Sequence, residues 1–106
     1  MNYSKKKLEV AFLIKQFLNR RKTINELQEY SWKIISEYSL KKQTETMIDP
    51  DGSIFWFAVW QIQHLSDKEH LEDGTLERDL EKTLKYLLNQ DPIPPGIYGI
   101  PPLIDK

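Results

Sequence analysis

Apolar residues recur at helical spacing along most of the chain, and the pattern breaks cleanly into segments. From Ser4 to Arg21 the positions Leu8, Ala11, Phe12, Ile14, Phe17 and Leu18 form one face of a helix. Ser4 is expected to cap it by accepting from the first-turn N–H groups, and the basic end at Arg20 to Lys22 suits a helix C-terminus. Thr23 followed by Glu26 reads as a capping box. The helix it opens, over 24–39, carries Leu27, Tyr30, Ser31, Ile34, Ile35 and Tyr38 on a single amphipathic stripe. Residues 40–53 read as a connection that ends in a Pro-Asp-Gly turn at Pro50 to Gly52, with Ser53 capping the next helix.

The segment "DGSIFWFAVWQIQHL" is the most apolar of the chain. Its periodicity continues through Leu65, too far for a buried strand, so it predicts a helix over 54–65. Ile54, Ala58, Ile62 and Leu65 form the main stripe, and the first two turns are apolar on every side, which predicts a central core helix. Trp56 and Trp60 share a second stripe with Gln63, and Phe57 shares a third with Gln61 and His64. Those flanks are the alternative: aromatic edges of a binding surface. Ser66 with Glu69 opens a short helix over 67–73, stopped by Gly74. The last helix, over 75–89, puts Leu76, Leu80, Leu84, Leu87 and Leu88 together and ends before Asp91-Pro92.

The remaining segment, 91–106, holds five of the six prolines and cannot be helical. With Ile93, Ile97, Tyr98, Ile100, Leu103 and Ile104 it is too apolar for a solvated linker. It predicts an extended strap packed over the helices, with a turn at Pro95-Gly96. The expected architecture is therefore all-α: a single domain over 1–106, a bundle of four to five helices with an extended Pro-rich C-terminal strap. A chain of 106 residues supplies one core, not two.

Charge sharpens this picture. The net charge is −1, but residues 1–50 carry ten basic and six acidic side chains, and residues 51–106 carry five basic and ten acidic. In 67–81, Asp67, Glu69, Glu72, Asp73, Glu77, Asp79 and Glu81 face only Lys68 and Arg78, a local charge of −5. Crowding like charges opposes folding, so the run points to an electrostatic face for a basic partner. The residues expected there are Asp67, Glu69, Glu72, Asp73 and Glu77, with Trp56 and Trp60 as interface aromatics. The basic clusters Lys5-Lys6-Lys7 and Arg20-Arg21-Lys22 give the alternative of a small nucleic-acid-binding regulator. They lie at opposite ends of one helix, about 22 Å apart, which does not suit a recognition helix in a groove.

Catalytic and metal chemistry are not indicated. The chain has no cysteine, which removes thiolate sites, thiol nucleophiles and disulfides and fits a reducing cytoplasm. His64 and His70 point about 240° apart on a continuous helix. Asp49, Asp51 and Gly52 resemble the start of a calcium loop, but Phe55 and Phe57 stand where further ligands would be needed. No nucleophile elbow or phosphate-cradling glycine loop is present. No catalytic residue, metal, cofactor or enzymatic activity is therefore expected. Glu9 and Lys15 interrupt the N-terminal apolar run, so neither a leader peptide nor a membrane span is expected.

The helical character, the aromatic segment "DGSIFWFAVWQIQHL", the acidic run and the ending "DPIPPGIYGIPPLI" resemble small bacterial immunity proteins. Those are the partners of toxin domains in contact-dependent growth inhibition and related polymorphic toxin systems. The resemblance covers roughly residues 50–104. It implies a cytoplasmic protein that binds a cognate toxin, commonly a basic nuclease, and covers its active site or a neighbouring surface.

Overall fold

The fold was obtained as a computed structural model, which describes residues 2–40, 50–65, 73–97 and 99. Four helices occur among them: α1 (Tyr3–Leu18), α2 (Ile24–Leu40), α3 (Pro50–Leu65) and α4 (Thr75–Leu87). No strand occurs among the described residues, so the expected helical class holds. The helix expected over 67–73 lies outside the described residues, apart from Asp73.

Helix α3 is the centre of the domain. Ile54, Phe55, Trp56, Ala58, Val59 and Ile62 are all buried, and α1, α2 and α4 each pack against it. The surrounding helices supply complementary stripes: Tyr3, Val10, Ala11 and Ile14 from α1, Leu27, Ile34 and Tyr38 from α2, and Leu76, Leu80 and Leu87 from α4. Rings fill much of the space. The Trp56 indole meets Tyr38 edge-on at 5.3 Å and Phe55 edge-on at 5.2 Å, and Tyr3 lies 5.8 Å from Phe55. Edge-to-face pairs of this kind add to the free energy of burial alone. The indole N–H, which would be costly to leave unpaired here, donates to the Tyr3 hydroxyl at 2.9 Å.

The helix ends differ from the sequence reading in instructive ways. Asn2, not Ser4, caps α1: its side chain accepts from the Lys5 N–H at 3.2 Å. Ser4 is drawn elsewhere, to Asp51. Thr23 accepts from the Glu26 N–H at 3.3 Å as a capping box requires, but the Glu26 carboxylate meets Lys22 instead of reaching back. Pro50, Asp51 and Gly52 do not form a turn before a cap at Ser53. They are the first turn of α3, where proline lacks only a donor that has no helical partner, and an acidic residue meets the positive end of the helix.

Both α1 and α4 close earlier than the polar runs suggested, and by the same device. Arg20 and Asn89 adopt left-handed backbone, with φ of 61° and 58°. The N–H groups of Arg20 and Arg21 return to the carbonyls of Phe17 and Gln16, and those of Asn89 and Gln90 return to Tyr86 and Lys85. Each pair of bonds is a Schellman closure. Helix α4 therefore stops at Leu87 rather than continuing to 89, before Pro92 can act.

Of the segment read as a strap, residues 91–97 and Gly99 are described; Tyr98 and 100–106 lie outside. The turn falls where expected. Ile97 donates to the Pro94 carbonyl at 3.3 Å, and Gly96 supplies the positive φ of 90° that the third position of a type II turn needs. Ile97 then packs on the core, and the Gly99 N–H donates to the Ser53 carbonyl at 3.0 Å. Gly99 sits so tightly on α3 that a Cβ there would lie 2.2 Å from the Phe57 nitrogen.

Two stability measurements test this packing. Trp56→Ala removes the largest buried side chain and is expected to cost about 3–5 kcal/mol in urea unfolding. Gly99→Ala must lift the chain off the α3 backbone. It is expected to cost about 2 kcal/mol while leaving the far-ultraviolet helix signal unchanged.

Candidate functional site

Helix α3 offers little surface. Trp56 is fully buried, so its expected place at an interface edge is corrected: it is a core residue. Trp60, one turn on and 6.3 Å from it ring to ring, is half-buried against the same core. The flanking polar residues are also turned inward to neighbouring helices. Gln63 on the tryptophan stripe donates to the Ser31 hydroxyl of α2, and Gln61 on the other flank accepts from the Thr83 hydroxyl of α4 at 2.5 Å. Beyond the first turn, His64 is the exposed described side chain of this helix. The flanks read as aromatic edges are seams between helices.

Three residues of the acidic face, Asp67, Glu69 and Glu72, lie outside the described residues. Asp73 and Glu77 are exposed at the start of α4. One Asp73 carboxylate oxygen accepts from the Thr75 N–H at 2.8 Å, so part of its role is to satisfy a first-turn donor beside Gly74, whose φ is 77°. Glu77 and Glu81 follow at one-turn intervals. All three carboxylates line an open groove of about 680 Å³ between the end of α1 and the outer side of α4, with Leu18 and Leu84 among its apolar lining. Lys15, Arg78 and Lys85 line it as well, so along this part of the segment the carboxylates alternate with cations.

A second polar constellation was not foreseen. Lys7 is 7% exposed, although it belongs to the run of three lysines read as a basic cluster. Its ammonium donates to Asp51 at 2.8 Å and to the Asn89 side chain at 3.4 Å, and the Ser4 hydroxyl donates to the other Asp51 oxygen at 3.0 Å. Four residues from α1, α3 and the end of α4 thus meet at one junction. The Lys7 and Ser4 hydrogen bonds hold the Asp51 carboxyl below its ordinary range, against a smaller opposing effect of desolvation. The signal was present in the sequence: Lys7 lies on the helical stripe of Tyr3, Val10 and Ile14, where a charge needs a partner.

The same arrangement consumes part of the basic clusters. Lys6 pairs with Glu9, Lys7 with Asp51 and Lys22 with Glu26. No group of three or more potential metal ligands occurs among the described residues, and no helix among them is long and apolar enough to cross a membrane. His70 lies outside the described residues. No family model, curated protein or solved structure matches this chain.

The junction makes an acid-sensitive prediction. A carboxyl whose pKa is lower in the folded state contributes stability that is present above its unfolded value, about 3.9. That stability is lost as pH falls through the folded value. Asp51→Asn is therefore expected to reduce stability at pH 7 by about 1–2 kcal/mol. The effect is smaller than for a fully buried pair, because the aspartate is 35% exposed. The difference between variant and parent should persist at the unfolded value and shrink only as pH falls further, and urea midpoints across this range check it.

Proposed function

We propose that the chain is an immunity protein that binds a cognate toxin domain in the bacterial cytoplasm and neutralises it. The partner in this reading is a basic protein, for which a nuclease with a positively charged substrate cleft is the natural class. The observation that carries the reading is the set of exposed carboxylates Asp73, Glu77 and Glu81 in the open groove beside α4, where they alternate with Lys15, Arg78 and Lys85. It continues in sequence from Asp67, Glu69 and Glu72, so the whole run carries −5. Complementary charge of this density accelerates encounter with a basic surface and selects against other partners. Trp60 is the aromatic that remains beside this account, and Trp56 supports it only through the core. The described residues 91–97 and Gly99 of the Pro-rich segment brace the domain in this reading, with Ile97 on the core and Gly99 against α3.

The alternative, a nucleic-acid-binding regulator, would use Lys5, Lys6, Lys7, Arg20, Arg21 and Lys22. Three of those six cations already have carboxylate partners, which lowers the number available to phosphates.

The test is a tagged pull-down from the native host at low and high salt, with protein and nucleic acid quantified in the eluate. The expected result is one basic protein in stoichiometric amount. Expressed alone in a heterologous cell that protein should arrest growth, and co-expression of this chain should restore it. Charge reversal at Glu77 and Glu81 to Lys is expected to weaken the complex on the order of tenfold, with an unchanged melting temperature. Recovery of nucleic acid that salt releases, without such a protein, would replace this reading with the regulator.

A further inference from the structure

Helix α1 carries two stripes, of which the core uses one. Tyr3, Lys7, Val10 and Ile14 face inward, whereas Leu8 and Phe12, expected on the core face, stand 55% and 59% exposed. The four large apolar side chains most exposed among the described residues are Leu8, Phe12, Trp32 and Ile93. Leu8 and Phe12 alone of these share a helix face, one turn apart. They belong to a longer line. Lys5, Leu8, Phe12, Lys15 and Asn19 follow one another at intervals of three, four, three and four residues, and all five are exposed. That spacing is the a/d seam along which one helix packs against another. The far end of the line opens into the groove beside α4, since Lys15 and Asn19 line both.

We propose that this outer seam of α1 is a docking surface for an amphipathic helix of a protein partner. Such a helix would present an apolar pair one turn apart, flanked on both sides by Asp or Glu. The charge pattern selects the occupant. Lys5 and Lys15 bracket the apolar pair and make no ion pair among the described residues, unlike Lys6, Lys7 and Lys22. A second copy of the chain is the poorer fit. Antiparallel two-fold packing about the middle of the seam sets Lys5 against Lys15 of the other copy, and parallel packing sets each lysine against itself. Either arrangement puts like charges together at both ends of a small apolar contact. An anionic lipid surface suits the cations, but the apolar line is one residue wide. Glu9 lies directly beside it, and burial together with the nearby Glu9 carboxylate keeps the Tyr30 hydroxyl protonated. An acidic helix satisfies both lysines and covers both apolar side chains. The seam meets the carboxylate groove at Lys15 and Asn19, but its apolar pair, Leu8 and Phe12, lies outside that groove. Loss of peptide binding on changing the pair therefore tests the seam apart from the toxin reading.

The probe is a synthetic helical peptide with leucines at i and i+4 and glutamates one turn outside each. It is titrated against the full isotope-labelled chain, with amide shifts as the readout. Shifts are expected to centre on residues 5–15. Leu8→Ser with Phe12→Ser should reduce affinity on the order of tenfold or more while leaving the melting temperature unchanged, because both side chains are exposed. Lys5→Glu with Lys15→Glu should abolish binding of the glutamate peptide and create binding of its lysine-flanked counterpart. Equal affinity of the parent for both peptides, or no binding at millimolar concentration, would overturn the proposal. So would concentration-dependent self-association that Leu8→Ser and Phe12→Ser remove, which would assign the seam to a second copy. Stripe-dependent binding of phosphatidylglycerol vesicles without peptide binding would assign it to a membrane.

Discussion

A helix that is apolar around its whole circumference can leave water only if other elements surround it, and this requirement organises the domain. Seven consecutive apolar residues from Ile54 to Trp60 leave the middle of α3 no polar face, and five of the seven are buried. Three helices are needed to cover it, each contributing an amphipathic stripe, and the strap residue Gly99 closes on its N-terminal half. Burying α3 supplies much of the hydrophobic free energy of a small domain. It also sets the rotation of each surrounding helix, because every stripe must meet the same central surface.

The cost of a central helix is that its polar groups must find partners inside. The solutions lie at the seams. Trp56 reaches the Tyr3 hydroxyl, Gln63 reaches Ser31, Gln61 reaches Thr83, and Asp51 receives Lys7 and Ser4. Each bond joins α3 to a different neighbour or a different level of the same neighbour. Hydrophobic burial is non-directional and would tolerate some rotation of α1, α2 and α4 about their axes. Hydrogen bonds between fixed pairs do not, so these contacts select one arrangement from several of similar apolar area. The Lys7–Asp51 pair has the largest consequence for the surface, because it turns Lys7 inward and thereby Leu8 and Phe12 outward.

Function, in this arrangement, is left to the outer helix faces. Among the described residues of α3, Phe55 and Trp56 are buried, Phe57 and Trp60 are partly buried, and Asp51, Gln61 and Gln63 bond to neighbouring helices. What remains is electrostatic and superficial: carboxylates along α4, and a line of two apolar and two cationic side chains along α1. The α1 line is cationic at both ends, whereas carboxylates and cations alternate along the groove beside α4. The proposed toxin contact and the proposed helix-docking seam both rest on these outer faces.

The helical class, the four described helices, the central place of the aromatic segment and the type II turn at Pro95-Gly96 were determined by the sequence itself. They rest on local physics: periodicity decides which residues share a face, proline and glycine decide where the chain turns, and an all-apolar helix must be central. The rotation of α1 was decided only in three dimensions. Its sequence holds two overlapping apolar stripes, and the pairing of Lys7 with Asp51, forty-four positions away, chooses between them. The same holds for Trp60 and Gln63 at the α2 seam and for Gln61 at the α4 seam, which one helix read alone leaves as flanks. Helix ends divide along the same line. Arg20 and Asn89 close α1 and α4 through left-handed backbone; asparagine favours that position, whereas nothing in an arginine announces it. Whatever depends on neighbours within four residues was legible in the sequence. Whatever depends on a partner far along the chain waited for the fold to bring that partner near.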